Sequence, residues 1–563
     1  MSGVDVTTSF ARTLADEWVR NGVTTAVVSP GSRNTPLTLA LLRDGRFEVD
    51  VVLDERSAGF RGLGVGLATG RPAIVCCTSG TAAVNLHPAV VEAFHAQVPM
   101  LVCTADRPPE LRDWGAGQTV DQAGLFGGAT RWYHDPGPAE PGPDANARWR
   151  ALACRAVAQA RSPLAGPVHL NLPFREPLVP TGGELLDAPG RDDGAPWVRA
   201  TSARRTIEPR EIERLAGLVR AHSRGLVVAG SGAGVSPATA ERFSRATGWP
   251  IMADPLSQLR SGDYAVAAYE AMLRCDPFAI AHRPEIVLRI GAPLTSKVAN
   301  AWLRPVPAVL VEPAAAWRDP DRTAAEIVDA DADPLLAGVA RAIPSPASAS
   351  WSDDWRRADA RARHALDAVF DGPVACEGRI ARDVAGAVPD GGSLVVASSL
   401  PVRALEWAMA PRSGLRVLAN RGANGIDGFV STTVGVARAS AGPVVALCGD
   451  LCLLHDTNGL LGARAIPPLT VVVVDNRGGG IFSYLPQSEL PEFEVAFATP
   501  QPVDLLGVVR AHGWNAEPTD VDDVPKRVAE EPEAPRVLVV RVDRDAARDQ
   551  HGRAWAAVAA ALG

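Results

Sequence analysis

Long apolar runs, metal-type cysteine pairs, clustered histidines and lysine are all scarce in this sequence. It contains no run of about 18 uninterrupted apolar residues, and no charged segment followed by an apolar one opens it. We therefore expect a soluble, cytoplasmic protein without membrane insertion. The eight cysteines form no CxxC pair and the ten histidines show no HxxxH spacing, so a zinc site is not expected. The cysteines instead fit buried small residues in a reducing compartment.

The chain has more acidic than basic residues. Its formal net charge of −8 argues against nucleic acid as the main partner, although it is compatible with local basic pockets. A length of 563 residues, with 47% hydrophobic and 21% charged residues, is typical of a globular protein with several domains. Almost all cationic residues are arginine, and Lys297 and Lys526 are the two lysines, which makes each lysine more informative.

Short apolar runs alternate with helical patterns along the chain. Because buried strands that alternate with helices form parallel sheets, we predict an α/β fold of three doubly wound parallel-sheet domains, at 1–180, 200–345 and 370–563. The central domain is predicted to be Rossmann-like, and the flanking domains look like two copies of one architecture. The predicted strands are 25–28, 49–53, 73–77, 100–103, 168–172, 225–229, 250–252, 286–290, 308–311, 393–397, 416–418, 444–448, 471–474 and 537–540.

Residues 449–482 of the last domain predict a strand, a turn, a helix, a second strand and a glycine turn. Asp450 follows the first strand, and Asn476 and Gly478 follow the second. Since parallel strands end at the same sheet edge, these groups are expected to converge there. A carboxylate oxygen, an amide oxygen and a backbone carbonyl suit Mg²⁺ with a diphosphate, and the glycines let N–H groups approach phosphates. The alternative is that both polar residues are ordinary turn residues.

Glu55 is the candidate catalytic residue. It follows an apolar strand and precedes a helix start rich in small residues, so its carboxylate is expected to be partly desolvated, with a raised pKa. Such a group could share a proton with a heterocyclic nitrogen of a ligand. The alternative is that Asp54 and Glu55 stabilise the helix N-terminus, a role that Asp54 alone could fill while Glu55 points inward.

Several polar and cationic side chains also follow strand ends. Ser32 and Arg33 precede a helix in which Thr35 is the predicted N-cap and Pro36 part of the first turn, an arrangement that favours a carboxylate or phosphate. A second receptor of this kind is predicted at another helix start, formed by Ser399 and Arg403.

Three further polar candidates lie on loops. Arg107 is on a proline-stiffened loop that leads to Gln118, and Lys297 follows a strand end of the central domain. The alternatives are solvated side chains, or a surface ion pair of Arg107 with Glu110 or Asp113.

Three apolar residues could line the same crevice. Ile426 lies among glycines and could instead be a core residue on an irregular turn. Ile481 and Phe482 follow the glycine turn and could instead form the first turn of the next helix. The turn at 230–234 resembles part of a dinucleotide fingerprint, but its glycine spacing departs from GxGxxG. A Rossmann-like scaffold without a nucleotide is therefore preferred to bound NAD or FAD.

Six segments carry a resemblance to a known family: SPGSRNTPL, DERSAGF, TSGTAAVNLHPAVVEA, DRPPELRDWGAGQT, NRGANGIDG, and GDL followed by DNRGGGIF. As a set they resemble the MenD family of thiamine diphosphate (ThDP)-dependent enzymes. The resemblance implies a pyrimidine-binding, a Rossmann-like and a diphosphate-binding domain, with each active site between two subunits of a homodimer or homotetramer. It also implies that 2-oxoglutarate loses CO₂ and its succinyl unit is added to isochorismate, in menaquinone biosynthesis, with ThDP and Mg²⁺, replaceable by Mn²⁺, as cofactors.

The resemblance implies residue roles as well. Glu55 would contact the aminopyrimidine ring of ThDP, and Ile426 would support its bent form. The other implied ThDP contacts are Gly449, Asp450, Leu451, Asn476, Gly478 and Ile481, of which Asp450, Asn476 and Gly478 would hold the metal. The implied substrate contacts are Ser32, Arg33, Arg107, Gln118 and Lys297 for isochorismate, and Ser399, Arg403, Arg421 and Phe482.

One departure concerns the central domain, where Val298 stands at a position that is basic in some family members. The alternatives to this function are another ThDP-dependent 2-oxoacid decarboxylase or carboligase, a dinucleotide-binding oxidoreductase, and a cofactor-free binding protein.

Overall fold

Three parallel six-stranded sheets organise the chain in a computed structural model that describes residues 3–186, 188–462 and 466–563. Each sheet falls within one of the three predicted domains, although the boundaries themselves stay a prediction. The predicted strands are all present, with ends shifted by one to three residues at several of them. Residues 463–465, inside the predicted motif at 449–482, and residue 187 of the first linker lie outside the described residues.

The first sheet has the strand order β2-β1-β3-β4-β6-β5. Its strands are β1 Thr25–Val28, β2 Glu48–Val51, β3 Ala73–Cys77, β4 Met100–Asp106, β5 Trp132–His134 and β6 Pro167–Pro173. The helices of this part are α1 Val6–Arg20, α2 Thr35–Asp44, α3 Glu55–Thr69, α4 Thr81–Asn85, α5 His87–His95 and α6 Ala145–Arg161.

The central sheet has the order β12-β11-β10-β7-β8-β9. Read from β9 to β12, this is the strand order of the Rossmann fold. Its strands are β7 Gly225–Ala229, β8 Ile251–Ala253, β9 Ala265–Val266, β10 Ile286–Ile290, β11 Ala308–Val311 and β12 Ala324–Val328. Its helices are α7 Pro209–Ala221, α8 Pro237–Thr247, α9 Tyr269–Met272, α10 Asp276–Ala281, α11 Lys297–Leu303 and α12 Ala332–Ala342. The long helix α13, Ser350–Phe370, follows.

The third sheet has the order β14-β13-β15-β16-β18-β17, so it repeats the topology of the first. Its strands are β13 Gly392–Val396, β14 Leu415–Leu418, β15 Val444–Gly449, β16 Thr470–Asp475, β17 Asn515–Pro518 and β18 Arg536–Arg541. Its helices are α14 Glu377–Ala387, α15 Leu400–Ala408, α16 Phe429–Ala439, α17 Asp450–His455, α18 Leu505–Ala511, α19 Val524–Ala529 and α20 Arg544–Leu562.

Four strands were not predicted from the sequence, and all four lie at a sheet edge: β5, β9, β12 and β17. They are short or only partly buried, so they lack the continuous apolar run by which central strands are recognised. Sequence patterns therefore identified the centre of each sheet and the edge strands β2 and β14, and missed the other four edge strands.

The first and last domains pack through helices α3 and α16. A Cβ atom on Gly64 would lie 2.1 Å from the carbonyl oxygen of Thr432, and one on Gly435 would lie 2.1 Å from that of Arg61. Glycine is thus required at both positions for the two backbones to approach. Beside this contact, buried Arg61 forms an ion pair of 2.8 Å with buried Asp50. The small-residue helix after Glu55 is therefore an interdomain surface.

The apolar core of the last domain is continuous with that of the central domain. One cluster of buried residues includes Leu226 and Met272 of the central domain, Trp355 of α13, and Leu394 and Val472 of the last sheet. Among the described residues, no helix has the length and apolar character needed to cross a membrane.

Candidate active site

Asp450 lies where β15 ends and α17 begins. Its two carboxylate oxygens accept hydrogen bonds from the backbone N–H groups of Leu451, at 2.8 Å, and Gly478, at 2.6 Å. Since Gly449 pairs with Val474 in the parallel ladder, the two strand ends are adjacent, as predicted. Burial raises the pKa of Asp450 to about 6, and the neighbouring Asp475 carboxylate acts in the same direction. A carboxylate so poorly solvated would be stabilised by a cation.

Asn476 provides the second oxygen of the predicted metal set. Its amide Nδ2 donates to the Oε1 oxygen of Glu377 at 2.9 Å, while its Oδ1 oxygen is buried and has no hydrogen-bond partner among the described residues. Buried amide oxygens are normally paired, so this one is available for a ligand. The chain thus offers an unpaired amide oxygen and a desolvated carboxylate in one turn, which fits Mg²⁺. Among the described residues, no group of three or more His, Cys, Asp and Glu side chains could hold a metal ion, so the predicted set depends on the amide and carbonyl oxygens beside Asp450.

The glycine turn has a backbone that other residues would not adopt easily. Gly478 has a φ of +126°, and a Cβ atom there would lie 2.1 Å from the carbonyl oxygen of Ala498. Arg477 also lies in the left-handed region, with a φ of +56°. These conformations hold the turn so that the N–H of Gly478 faces Asp450. The glycines are therefore needed for the geometry of the turn itself.

The predicted apolar residues lie near this turn. Ile426 is half-buried against the apolar cluster of the last sheet, and its carbonyl oxygen accepts a hydrogen bond from Cys452 Sγ at 3.4 Å. Ile481 packs on the cluster shared with the central domain and lines a cavity. Phe482 packs against Phe497, with ring centroids 5.7 Å apart. They supply apolar surface at the edge that carries Asp450.

Glu55 is the first residue of α3, and its side chain is half-buried. Asp54 caps this helix by accepting hydrogen bonds from the N–H groups of Arg56, at 2.8 Å, and Ser57, at 3.2 Å. Asp54 therefore caps the N-terminus of α3, as the sequence suggested it could. Within the described ranges, the Glu55 side chain makes no hydrogen bond or ion pair, so its carboxylate is free to meet a ligand. The role of Glu55 stays a prediction.

The segment around Glu55 contacts the last domain of the same chain. Asn458 Nδ2 donates to Asp54 at 2.6 Å, and Arg56 donates to the carbonyl oxygen of His455 at 3.0 Å. These contacts place the start of α3 beside the residues that follow α17.

Arg33 is 8% exposed at the edge of the first sheet. It donates to the carbonyl oxygen of Phe174 at 2.9 Å and forms an ion pair of 3.3 Å with Glu176. Burial lowers the pKa of Arg33, and the nearby Arg107 guanidinium adds to this effect. Ser32 beside it is exposed. Two cations that repel each other at one edge form a site suited to an anion.

The structure corrects the predicted N-cap of α2. Asn34 is the N-cap residue, while Thr35 is the first helical residue and donates its hydroxyl to the carbonyl oxygen of Ser32 at 2.7 Å. The Asn34 side chain does not cap the helix either, because it donates to the carbonyl oxygen of Ser29 at 3.0 Å. The polar side chains of this turn therefore fix the loop before the helix.

Ser79 joins the other two predicted contacts of the first domain. Arg107 donates to its hydroxyl oxygen at 2.6 Å, and Gln118 Nε2 donates to its carbonyl oxygen at 3.0 Å. Arg107 also donates to the carbonyl oxygen of Gly117 at 2.9 Å. The alternative of an ion pair between Arg107 and Glu110 is not found, because Glu110 pairs with Arg175 at 2.6 Å.

Lys297 and Arg403 line one cavity of about 150 Å³ between the central and last domains, together with Ile481. Lys297 is exposed at the first position of α11. Arg403 donates to the carbonyl oxygen of Ser399 at 2.5 Å, and Ser399 lies in the left-handed region with a φ of +75°. The structure thus brings these predicted residues together, although they are distant in sequence.

Arg421 follows β14 and adds a further cation to this edge. Burial lowers the pKa of Arg421. Burial also lowers the pKa of Arg403, and repulsion from the nearby Arg421 guanidinium lowers it further. The loop that carries Arg421 is held from the first domain, where buried Glu92 accepts the N–H groups of Gly422 and Ala423, each at 2.6 Å. Arg403 and Arg421 therefore lie half-buried and close to each other at this edge, while the predicted carboxylate receptor itself stays a prediction.

Sequence reasoning missed three buried acids that support these groups. Glu92 holds the Arg421 loop, Glu377 holds the Asn476 amide, and Glu406 accepts the N–H of Ser296 at 2.9 Å, directly before Lys297. Each lies within a helix, where a glutamate is an ordinary residue, and none follows a strand end. Their partners come from distant parts of the chain, so the local sequence gave no signal for them.

The glycine turn at 230–234 has a packing reason. A Cβ atom on Gly230 would lie 1.7 Å from the carbonyl oxygen of Ala292 in the neighbouring turn. This glycine is thus required by the fold without reference to a dinucleotide.

Comparisons with known proteins place this architecture in a class. Residues 8–125 match the family model described as "Thiamine pyrophosphate enzyme, N-terminal TPP binding domain", and residues 408–542 match its "C-terminal TPP binding domain" counterpart. Residues 191–396 match "Middle domain of thiamine pyrophosphate". The fold, the site and these models together define a three-domain enzyme of the thiamine diphosphate-dependent class.

Relatives of the same length narrow the class to a family. The chain is 44% identical over 578 residues to the 2-succinyl-5-enolpyruvyl-6-hydroxy-3-cyclohexene-1-carboxylate synthase of Thermobifida fusca (strain YX), with 99% of each chain covered. It is 42% identical over 592 residues to the synthase of the same name from Myxococcus xanthus (strain DK1622), covering 100% of this chain and 99% of that one. The chain belongs to the 2-succinyl-5-enolpyruvyl-6-hydroxy-3-cyclohexene-1-carboxylate synthase family, in agreement with the resemblance seen in its motifs.

Proposed function

We propose that this chain decarboxylates 2-oxoglutarate and adds the succinyl unit to isochorismate, giving 2-succinyl-5-enolpyruvyl-6-hydroxy-3-cyclohexene-1-carboxylate and CO₂ in menaquinone biosynthesis. The observation that carries the proposal is the set of cations at the edges of the first and last sheets, which includes Arg33, Arg107, Arg403 and Arg421, in a chain of net charge −8. Both substrates carry two carboxylates, so a crevice that receives them needs several buried or half-buried cations.

The cofactor residues divide between the two flanking domains. Asp450, Asn476 Oδ1 and the carbonyl oxygen of Gly478 would hold Mg²⁺, which in turn would hold the diphosphate of ThDP. Glu55 would accept and return a proton at the aminopyrimidine ring nitrogen, since its carboxylate has no competing hydrogen bond among the described residues. When bound, ThDP supplies the carbon nucleophile and the electron sink of the reaction. The chain itself binds, orients and holds a proton.

Substrate selection would rest on the cations of each edge. Ser32, Arg33, Arg107, Gln118 and Lys297 are assigned to isochorismate, and Ser399, Arg403 and Arg421 to the carboxylates of 2-oxoglutarate, with Phe482 as an apolar contact. The support is positional: Ser79 links Arg107 to Gln118, and one cavity joins Lys297 to Arg403. Fixed arginines recognise carboxylates at low entropic cost, which favours orientation of both substrates.

We further propose that each active site forms between two copies of the chain in the cytoplasm. Leu53, directly before Asp54 and Glu55, is 71% exposed and leaves apolar surface open beside the proposed site. A second copy would cover this surface and bring its own Asp450 to Glu55.

The reaction is tested by incubating the pure protein with ThDP, Mg²⁺, 2-oxoglutarate and isochorismate, with each omitted in turn, and by following CO₂ and the product mass. We expect product when all four are present and none when any one is left out. Replacement of 2-oxoglutarate by pyruvate tests for a different ThDP-dependent decarboxylase or carboligase. Equal or faster use of pyruvate would reject the proposed substrate.

The shared site is tested by co-expressing two inactive variants, Glu55→Gln and Asp450→Ala, so that mixed dimers form. If sites form between copies, one of the two sites in each mixed dimer contains both native residues, so about a quarter of all sites would be active at equal expression and random pairing. A mixture as inactive as its components would place both residues of one site in the same chain.

A further inference from the structure

Glu377 contacts the proposed metal site although no sequence pattern pointed to it. It is the first residue of α14 and is 4% exposed. Its Oε1 oxygen accepts the Asn476 amide at 2.9 Å, and its Oε2 oxygen is buried without a partner among the described residues. The next residue, Gly378, donates its N–H to the Nε2 nitrogen of His551 at 3.1 Å, which fixes the start of α14 against α20. Glu377 is therefore held firmly in place.

The hydrogen bond between Glu377 and Asn476 determines which end of the amide faces the turn. The two ends of an asparagine amide have nearly the same shape, but one donates hydrogen bonds and the other accepts them. The Oε1 oxygen of Glu377 is the acceptor in this contact, so it pairs with the Nδ2 end of Asn476 and excludes Oδ1. The Oδ1 oxygen is thereby turned away from Glu377, and it is the atom found buried and unpaired.

We infer that Glu377 is a positioning residue that directs the Oδ1 oxygen of Asn476 toward the metal ion. The inference rests on the proposed function, because that function supplies the metal. Groups that orient a metal ligand commonly affect metal affinity by about 10–100-fold without touching the ion. A glutamine at position 377 would no longer determine the orientation of the Asn476 amide. Its own N–H group could pair with Oδ1 and leave the Asn476 NH₂ group facing the cation.

The test compares wild type with Glu377→Gln, with Glu489→Gln as the matched control. Glu489 is an exposed glutamate of the same domain. The dissociation constant of Mg²⁺ is measured by calorimetry at saturating ThDP, and that of Mn²⁺ by electron paramagnetic resonance. We expect the Glu377→Gln variant to bind both ions about 10–100-fold more weakly. The thermal midpoint of the cofactor-free protein should change little, since glutamine keeps the size of the side chain and one hydrogen bond.

A reciprocal exchange separates positioning from a merely structural role. In the double variant Glu377→Gln/Asn476→Asp, the glutamine amide can donate to one oxygen of the new aspartate while the other oxygen faces the metal. We expect its metal affinity to return to within about threefold of wild type. If the single variant does not fold, the double variant alone decides: recovery supports the inference and a loss of affinity overturns it.

Unchanged metal affinity in a folded Glu377→Gln variant would overturn the inference and leave the proposed function intact. A wild-type protein that binds ThDP without any divalent ion would instead reject the metal site, and with it both proposals. The two failures are distinguishable because the wild-type protein tests the metal site and the Glu377→Gln variant tests the role of Glu377.

Discussion

The first and last domains share one strand order but place different chemistry at equivalent strand ends. Their sheets read β2-β1-β3-β4-β6-β5 and β14-β13-β15-β16-β18-β17, which is the same topology. After the second strand, the first domain has the acid Glu55 and the last has the cation Arg421. After the third strand, the first has Ser79 and the last has the acid Asp450. The strand order is therefore repeated, whereas the charge of the residue after each strand differs between the two domains.

This difference shows how one architecture divides the work of a large coenzyme. The acid of the first domain is free of hydrogen bonds among the described residues and is available to a ring nitrogen, whereas the acid of the last domain accepts two N–H groups and lies beside an unpaired amide oxygen. One edge is suited to proton sharing and the other to a metal ion. Function follows from the residues at strand ends, because the sheets themselves are equivalent.

The largest effect is expected at the proton-sharing edge. Glu55→Gln should reduce product formation by on the order of 10²–10⁴-fold, because the contribution of a general acid–base group is lost. The variant should still bind ThDP, since the metal residues lie in the other domain. Steady-state kinetics and calorimetry of ThDP binding measure the two outcomes. Turnover close to that of wild type would remove the assignment of Glu55.

The opposite pattern is expected at the metal edge. Asp450→Ala should abolish Mg²⁺-dependent retention of ThDP, with a loss of metal affinity greater than the about 100-fold expected for an orienting residue. Gel filtration followed by measurement of bound ThDP, with and without Mg²⁺, checks this. If the variant retains ThDP in a metal-dependent way, the two edges do not differ as proposed.

A smaller, selective effect is expected for the cation of the last domain. Arg403→Ala should reduce kcat/KM for 2-oxoglutarate by about 10–100-fold, the size expected for loss of a charge-assisted hydrogen bond. The loss for pyruvate should be smaller, because pyruvate lacks the second carboxylate. The matched variant in the first domain, Arg33→Ala, should instead weaken isochorismate use. Equal losses for both oxoacids in Arg403→Ala would contradict its assignment.

The last effect concerns the stability of the cofactor-free protein. Burial raises the folded-state pKa of Asp450 to about 6, above its ordinary value of 3.8. The folded chain therefore binds this proton more tightly than the unfolded chain, and stability falls as pH rises from about 4 to 6, by up to about 3 kcal/mol. Urea unfolding at several pH values should show this loss in wild type and not in Asp450→Asn. Parallel pH profiles of the two proteins would show that the Asp450 charge is not destabilising.

Within the fold, the sequence by itself determined the buried strands, their alternation with helices and the likeness of the two flanking domains. Continuous apolar runs such as those of β3 and β16 have few alternatives to a buried parallel strand, so local pattern was sufficient. Edge strands such as β17 are half-exposed and depend on their neighbour for definition. Their pattern was too weak to predict.

Within the site, strand-end residues could be predicted because parallel topology brings strand ends to one edge. The adjacency of Asp450 to the turn at Asn476 and Gly478 was predicted in this way, whereas the contacts of Arg107 and Gln118 with Ser79 were not. Only the tertiary structure decided which oxygens are paired, which cations share a cavity, and that Glu377 holds Asn476. Those contacts join residues about a hundred positions apart, and their hydrogen bonds depend on packing that no local pattern encodes.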